Sequence, residues 1–260
     1  MKTALRISLV QTDIVWENKQ ENLRRLEIKL RALSGKTDLV VLPEMFSTGF
    51  TMQSHLFAET INEETLTTLR QWAKRYNLAI SGSFICTERE EFFNRAFFLC
   101  PDDEEYFYDK HHLFRMGNEP KHFSAGSQRC VFNWQGWKIC LMVCYDLRFP
   151  VWCRNVINEY DLLIFMANWP APRNRAWETL LCARAIENQS YVCGVNRVGK
   201  DAMGIHYIGN SALYNMKGEN IVNFTENEEE IRTACLDLES LRAFRTKFPA
   251  WRDADFFTLE

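Results

Sequence analysis

No run of the sequence approaches the roughly 20 consecutive apolar residues that a membrane-spanning helix requires. Residues Met1 to Val10 alternate like a strand and lack a continuous apolar h-region followed by a small-residue cleavage site. Neither a helical membrane protein nor a secreted one is therefore expected, and the expected compartment is the cytoplasm. Excess charge of one sign is also missing. The 31 basic and 34 acidic side chains leave a net charge of -3, which makes no electrostatic case for a nucleic-acid or membrane partner. A small neutral or anionic molecule remains as the expected partner. C-x-x-C pairs are absent too. The nine cysteines are odd in number and scattered, so neither a disulfide framework nor a zinc ribbon follows. A reducing compartment fits that pattern and keeps a thiol usable. No internal repeat, low-complexity segment or shift in composition divides the chain, and residues 1–260 read as one domain.

What is present is an ordinary globular composition, 47% hydrophobic and 25% charged, arranged as alternating strand and helix signals. Ala4 to Gln11 reads as a strand. Asn18 and Glu21 form a capping signal before Leu23, Leu26, Leu30 and Leu33, which share one helical face. Asp38 to Leu42 is a short buried strand, Glu63 to Tyr76 a second helix, and Leu78 to Cys86 another strand. Phe92 to Leu99 and Glu105 to Asp109 follow with no helix between them, which predicts some antiparallel pairing in an α/β fold. The stretch from Lys110 to Gln128 is too polar and broken by Gly and Pro to be an element, and a loop of that length points to function. Strands at Cys130 to Trp134 and Lys138 to Val143 flank the Gln135-Gly136 turn. Phe149-Pro150 is expected to open a helix through Glu159, with a buried strand at Asp161 to Ala167, a helix carrying Trp177, Leu180, Leu181 and Ala185, and a strand at Ser190 to Val195. Shorter strands and hairpins then lead to a helix at Leu238 to Phe244. The aromatic tail, residues 245–260, is expected to pack on the body or on a partner subunit, because exposed it would be an apolar liability.

Three chemically distinct residues follow predicted strands: Glu44, Lys110 and Cys144. Taken singly, each has an ordinary explanation as a loop carboxylate, a surface lysine and a buried thiol. Together they supply a base, a cation and a soft nucleophile, a workable set for acyl transfer through a thioester. The cluster His111, His112 and His122 lacks a Cys or carboxylate at ligand spacing, so hydrogen-bonding roles are expected for it and no metal is called for.

Leu42-Pro43-Glu44-Met45-Phe46, Tyr108-Asp109-Lys110-His111-His112-Leu113-Phe114 and Cys144-Tyr145-Asp146-Leu147-Arg148-Phe149-Pro150 resemble, in order, the glutamate, lysine and cysteine motifs of the nitrilase superfamily of carbon-nitrogen hydrolases. With Leu9 to Thr12 and Ala183 to Asn188, the resemblance spans nearly the whole chain. It implies a four-layer α-β-β-α sandwich, pairing of two subunits through an outer helical layer, and a cofactor-free, metal-free Glu-Lys-Cys triad. By that resemblance Glu44 is the general base, Lys110 the oxyanion-stabilising cation, Cys144 the nucleophile, and Glu119 the additional glutamate of these enzymes. The Tyr145 backbone N–H would be the second oxyanion donor.

Cys144-Tyr145-Asp146 is similar to the amidase branches rather than to the Cys-Trp-Glu of true nitrilases. Ala167 to Arg173, Gly194 to Gly199 and Lys247 to Asp255 look like the bacterial ω-amidases, implying hydrolysis of 2-oxo acid monoamides such as 2-oxoglutaramate or 2-oxosuccinamate, and a metabolic link to glutamine transaminases and methionine salvage. A substrate with a far carboxylate calls for arginine, and Arg148, Arg173 and Arg197 lie on candidate pocket loops. Arg173 is the preferred contact, and Arg148 is alternatively a structural pair for Glu187 or Asp146. Phe46, Asn168 and Trp169 are expected around the substrate, with Phe46 and Trp169 shaping the pocket wall. The competing expectations are a nitrile or N-carbamoyl hydrolase of the same fold, a catalytically idle binding module, and a redox-sensing thiol.

Overall fold

The computed structural model describes residues 3–255 and residue 258. The chain runs β1 (Ala4–Gln11), α1 (Lys19–Leu33), β2 (Leu39–Val41), α2 (Ser54–Phe57), α3 (Glu64–Tyr76), β3 (Ala79–Glu88), β4 (Glu91–Leu99), β5 (Glu105–Asp109), β6 (Cys130–Trp134), β7 (Trp137–Val143) and β8 (Leu162–Ala167). It continues with α4 (Asn174–Asn188), β9 (Tyr191–Asn196), β10 (Val198–Lys200), β11 (His206–Ile208), β12 (Ala212–Tyr214), β13 (Glu230–Asp237) and α5 (Leu238–Lys247). One sheet has the order β13-β1-β2-β3-β4-β5 and the other β12-β9-β8-β7-β6, while β10 and β11 form a separate ribbon.

The two sheets pack face to face, and the period-2 alternation of the strands explains why. Leu5, Ile7 and Leu9 of β1, with Leu39, Val41, Ala96 and Phe98, share one core with β7, β8 and β9. The intervening Val10, Val40, Phe97 and Leu99 point the other way, onto Leu23, Leu26 and Leu30 of α1 and Leu66 and Leu69 of α3. Slipping β1 by one residue would exchange Leu5, Ile7 and Leu9 for Arg6 and Ser8. At about 1.5–3 kcal/mol per buried aliphatic side chain, that loss sets the register. On the far side, Trp177, Leu181 and Ala185 of α4 and Leu238 and Leu241 of α5 join the core of the second sheet. The four-layer α-β-β-α sandwich follows, as does the antiparallel β3-β4-β5 meander read from adjacent strands.

Asn18 caps α1 as its sequence indicates, its side chain accepting from Glu21 N at 3.1 Å. Two readings are corrected. No α-helix runs from Phe149 to Glu159: one turn forms, Cys153 N to Phe149 O at 3.2 Å, and the chain then breaks with Ile157 and Asn158 left-handed at φ 52° and 54°. Asn155 competes with the helix, its amide donating to Tyr160 O and Asn188 O at 3.0 Å each. The last strand is also longer than a hairpin piece. β13 pairs antiparallel with β1 over its whole length, although only one of its residues is fully buried and it leaves little apolar signal. Of the tail, Phe248 O accepts from Gln189 Nε2 at 2.8 Å, whereas Phe256 and Phe257 lie outside the described residues.

Candidate active site

Four titratable side chains converge where β2, β5 and β7 end. Glu44 stands just past β2 at a turn in which Met45 is left-handed at φ 45°. Its carboxylate is fully buried: Oε1 accepts from Lys110 Nζ and Asn94 Nδ2, both at 2.8 Å, and Oε2 accepts from Asn168 N at 2.9 Å. Lys110, the residue after β5, is also fully buried and donates in addition to both oxygens of Glu119 at 3.0 Å. Glu119 opens a single 3-10 turn and accepts from Phe114 N at 2.5 Å, which folds the 110–119 loop back on itself. Cys144 follows β7 directly, is left-handed at φ 44°, and is 9% exposed, where Glu44, Lys110 and Glu119 are 0% exposed. Of the four, Cys144 alone retains any exposure.

Sequence reading missed Asn94. It sits beside Arg95 in the otherwise aromatic and apolar run of β4, and a buried amide in that run was the available signal. Ser83 Oγ donates to Asn94 Oδ1 at 2.9 Å, which turns the Asn94 amide nitrogen toward Glu44 and, at 3.2 Å, Glu119. One NH2 group thus serves both carboxylates.

Burial pushes the Cys144 thiol well above the usual thiol range, and the Glu44 carboxylate pushes it further, against an opposing effect of Lys110. The resting sulfur is accordingly a thiol that needs a base. For Lys110, burial opposes the charge, but Glu119 and Glu44 outweigh it and hold the ammonium well above the usual lysine range. Burial raises the Glu119 carboxyl, with Lys110 opposing and Glu44 adding to the rise.

Glu44, Lys110 and Cys144 form the floor of a cavity of about 800 Å³ whose walls include Phe50, Phe114, Tyr145, Arg148, Trp169 and Arg173. Asn168 borders it as well, and its side chain donates to Glu44 O at 2.7 Å. Three expectations change. Phe46 is not a wall residue: its ring turns into the core against Phe97, 5.9 Å between centroids, because the left-handed Met45 reverses the chain and Phe46 N is tied to Ser83 O. Phe50 lies over Lys110 instead, 5.2 Å from Nζ to the ring centroid. Arg197 is buried away from the cavity with Asp13, at 2.7 Å. Arg148 pairs with neither Glu187 nor Asp146; its guanidinium lies 4.9 Å from the Trp169 ring, while Glu187 is held by Arg184. Of the histidines, His111 Nδ1 meets Gly126 O, His112 Nδ1 meets Asp146, and His122 borders the cavity. Met203, Ile205 and Tyr207, on and beside the β10-β11 ribbon, complete the rim.

Gly126 presses on the same floor from behind. Its N donates to Lys110 O at 3.0 Å, and a Cβ there would stand 2.1 Å from Asp109 O. Gly126→Ala must therefore displace the backbone that carries Lys110. The expected result is a loss of about 1–3 kcal/mol in stability together with reduced turnover, measured by thermal melting and steady-state rates; unchanged values in both would count against the close approach.

A four-layer sandwich with a buried glutamate, lysine and cysteine at its strand ends defines the class of this protein. The sequence matches the carbon-nitrogen hydrolase family model over residues 6–246. The chain belongs to that family. Omega-amidase YafV of Escherichia coli strain K12 is 44% identical over 255 residues, 98% of each chain. The 2-oxoglutaramate amidase of Bacillus subtilis strain 168 is 30% identical over 251 residues, 95% of this chain and 96% of the other. Among solved structures, XC1258 from Xanthomonas campestris, a CN-hydrolase superfamily protein with an arsenic adduct in its active site, is 41% identical with a TM-score of 0.97 and coverage of 100% of both chains.

Proposed function

We propose that this protein is a thiol amidohydrolase that converts the terminal amide of small 2-oxo acid monoamides, such as 2-oxoglutaramate or 2-oxosuccinamate, to the carboxylate and ammonia. The observation that carries the reading is the Cys144 side chain at the open side of a buried Glu44–Lys110–Glu119 cluster. Similarity to an ω-amidase over 98% of the chain supports the choice of substrate.

An amide is a weak electrophile with a poor leaving group, so the reaction is divided. Glu44 takes the Cys144 proton as sulfur attacks the amide carbonyl. The C=O electron pair moves onto oxygen, which faces Lys110 Nζ and Tyr145 N–H. Lys110 approaches Glu119 through both carboxylate oxygens, and relaxing that chelate to one bond would release an N–H for the oxyanion. Glu44 returns the proton to the departing nitrogen, ammonia leaves, and a thioester remains. Glu44 then deprotonates water, the hydroxide adds to the thioester, and sulfur leaves and recovers its proton.

Arg148 and Arg173 reach the same cavity, and neither forms an ion pair among the described residues. Arg173, its guanidinium 5.3 Å from the Phe114 ring centroid, is the proposed partner of the substrate's far carboxylate. Ammonia release from 2-oxoglutaramate tests the function, and no release from any small amide would refute it. Arg173→Ala should raise KM about 10- to 100-fold, the value of a charge-assisted hydrogen bond, with kcat less affected. An unchanged KM would move the carboxylate contact elsewhere.

A further inference from the structure

Cys144 follows β7 in one sheet and Lys110 follows β5 in the other, and no strand pairing connects the two sheets among the described residues. Something else must hold the sulfur and the ammonium in register. Asp146, which takes no part in the chemistry above, is fully buried and accepts four hydrogen bonds. Tyr108 OH donates at 2.7 Å, His112 N at 2.9 Å and His112 Nδ1 at 2.8 Å, so two donor residues flank Lys110 on either side. Val143 N donates at 3.0 Å, immediately before the nucleophile. One carboxylate therefore bridges the residues around Lys110 and the turn that carries Cys144.

The bridge is itself held. Tyr108 OH accepts from Trp152 Nε1 at 2.9 Å and His111 N at 3.2 Å, and the His112 ring stacks on Phe149 at 3.6 Å and 3°. The bridge also borders the one strained backbone position of the catalytic set. A left-handed φ at a non-glycine residue costs roughly 1–2 kcal/mol and persists only where its surroundings determine it.

We propose that Asp146 is a positioning residue that ties the Lys110 segment to the Cys144 turn and so sets the distance between the attacking sulfur and the cation facing the oxyanion. The inference rests on the amide-hydrolysis reading and deepens it. Displacing a reacting group by about 1 Å costs on the order of 100-fold in rate, which fixes the size of the effect to be sought.

The experiment compares Asp146→Asn, Tyr108→Phe, His112→Ala and His112→Asn with wild type for kcat, KM, melting temperature and the rate at which iodoacetamide alkylates Cys144, followed by mass spectrometry of the Cys144 peptide. Alkylation at a saturated carbon develops no oxyanion, so it reports the access and ionisation of the sulfur without the oxyanion step that Lys110 is proposed to assist. Asp146→Asn should lower kcat by about 100-fold, and Tyr108→Phe and His112→Ala by about tenfold. KM and alkylation should stay within about threefold of wild type. His112→Asn offers an amide N–H where Nδ1 stood but no ring to stack, so recovery of most of the kcat lost in His112→Ala isolates the bond to Asp146. Should Asp146→Asn fail to fold, the two His112 variants decide.

Unchanged kcat in the folded variants would overturn the positioning role. So would a fall of kcat, alkylation and melting temperature together without recovery in His112→Asn, because that pattern describes general loosening. A wild-type protein without amide turnover would overturn the functional reading and this inference with it, whereas an active wild type with unaffected variants would overturn this inference alone.

Discussion

Cys144→Ala should abolish ammonia release, lowering kcat by about 10⁴-fold or more, the scale on which a covalent nucleophile is lost. The fold should survive. Cys144 is 9% exposed at the edge of the cavity, and the hydrogen bond from its sulfur to Asn168 O, at 4.0 Å, is weak. Alanine removes little packing and leaves no strong donor or acceptor unsatisfied, so the melting temperature should remain near that of wild type. That separation distinguishes loss of chemistry from loss of structure. It also bears on the rival readings, since an idle binding module or a redox-sensing thiol would show no dependence of amide turnover on Cys144. Full activity in the variant would sink the thioester mechanism.

Lys110→Met is expected to damage both stability and rate. Lys110 is the cation between Glu44 and Glu119, all three fully buried, with contacts of 2.8–3.0 Å. Removing one member of a buried ion pair leaves an uncompensated charge and typically costs about 3–5 kcal/mol. In a chain of this size that is a fall in melting temperature on the order of 10 °C. Turnover should fall by about 10²–10³-fold as an oxyanion donor is lost. The double variant Lys110→Met with Glu119→Gln separates the two effects. Its amide can accept from Phe114 N while removing one of two facing carboxylates, so most of the melting temperature should return while kcat stays low. A wild-type melting temperature in Lys110→Met would show that the two carboxylates do not depend on the lysine for their burial.

Much of the layered fold was legible in the residues. Leu23, Leu26, Leu30 and Leu33 share a face because the helix repeats every 3.6 residues, and Asn18 marks its start. The strand ends carrying Glu44, Lys110 and Cys144 were legible too, because short apolar runs stop where these polar residues begin. The missing helix after Cys144 was not, since its apolar spacing is acceptable locally and only Asn155, bonded to Asn188 from a distant helix, stops it. β13 escaped for the opposite reason, its pairing with β1 being made by backbone groups that leave no mark on side-chain pattern.

The site divides the same way. By itself the sequence determined which residue types stand at the strand ends, hence that a base, a cation and a thiol were available, because residue identity and local period are properties of short segments. Only the tertiary structure decided that Lys110 meets Glu44 and Glu119 together, that Asn94 joins them, that Phe46 faces the core while Phe50 faces the lysine, and that Asp146 links two sheets. Those contacts join residues far apart in the chain, and their geometry depends on how two sheets pack and which way a left-handed turn throws a side chain. No local pattern encodes either.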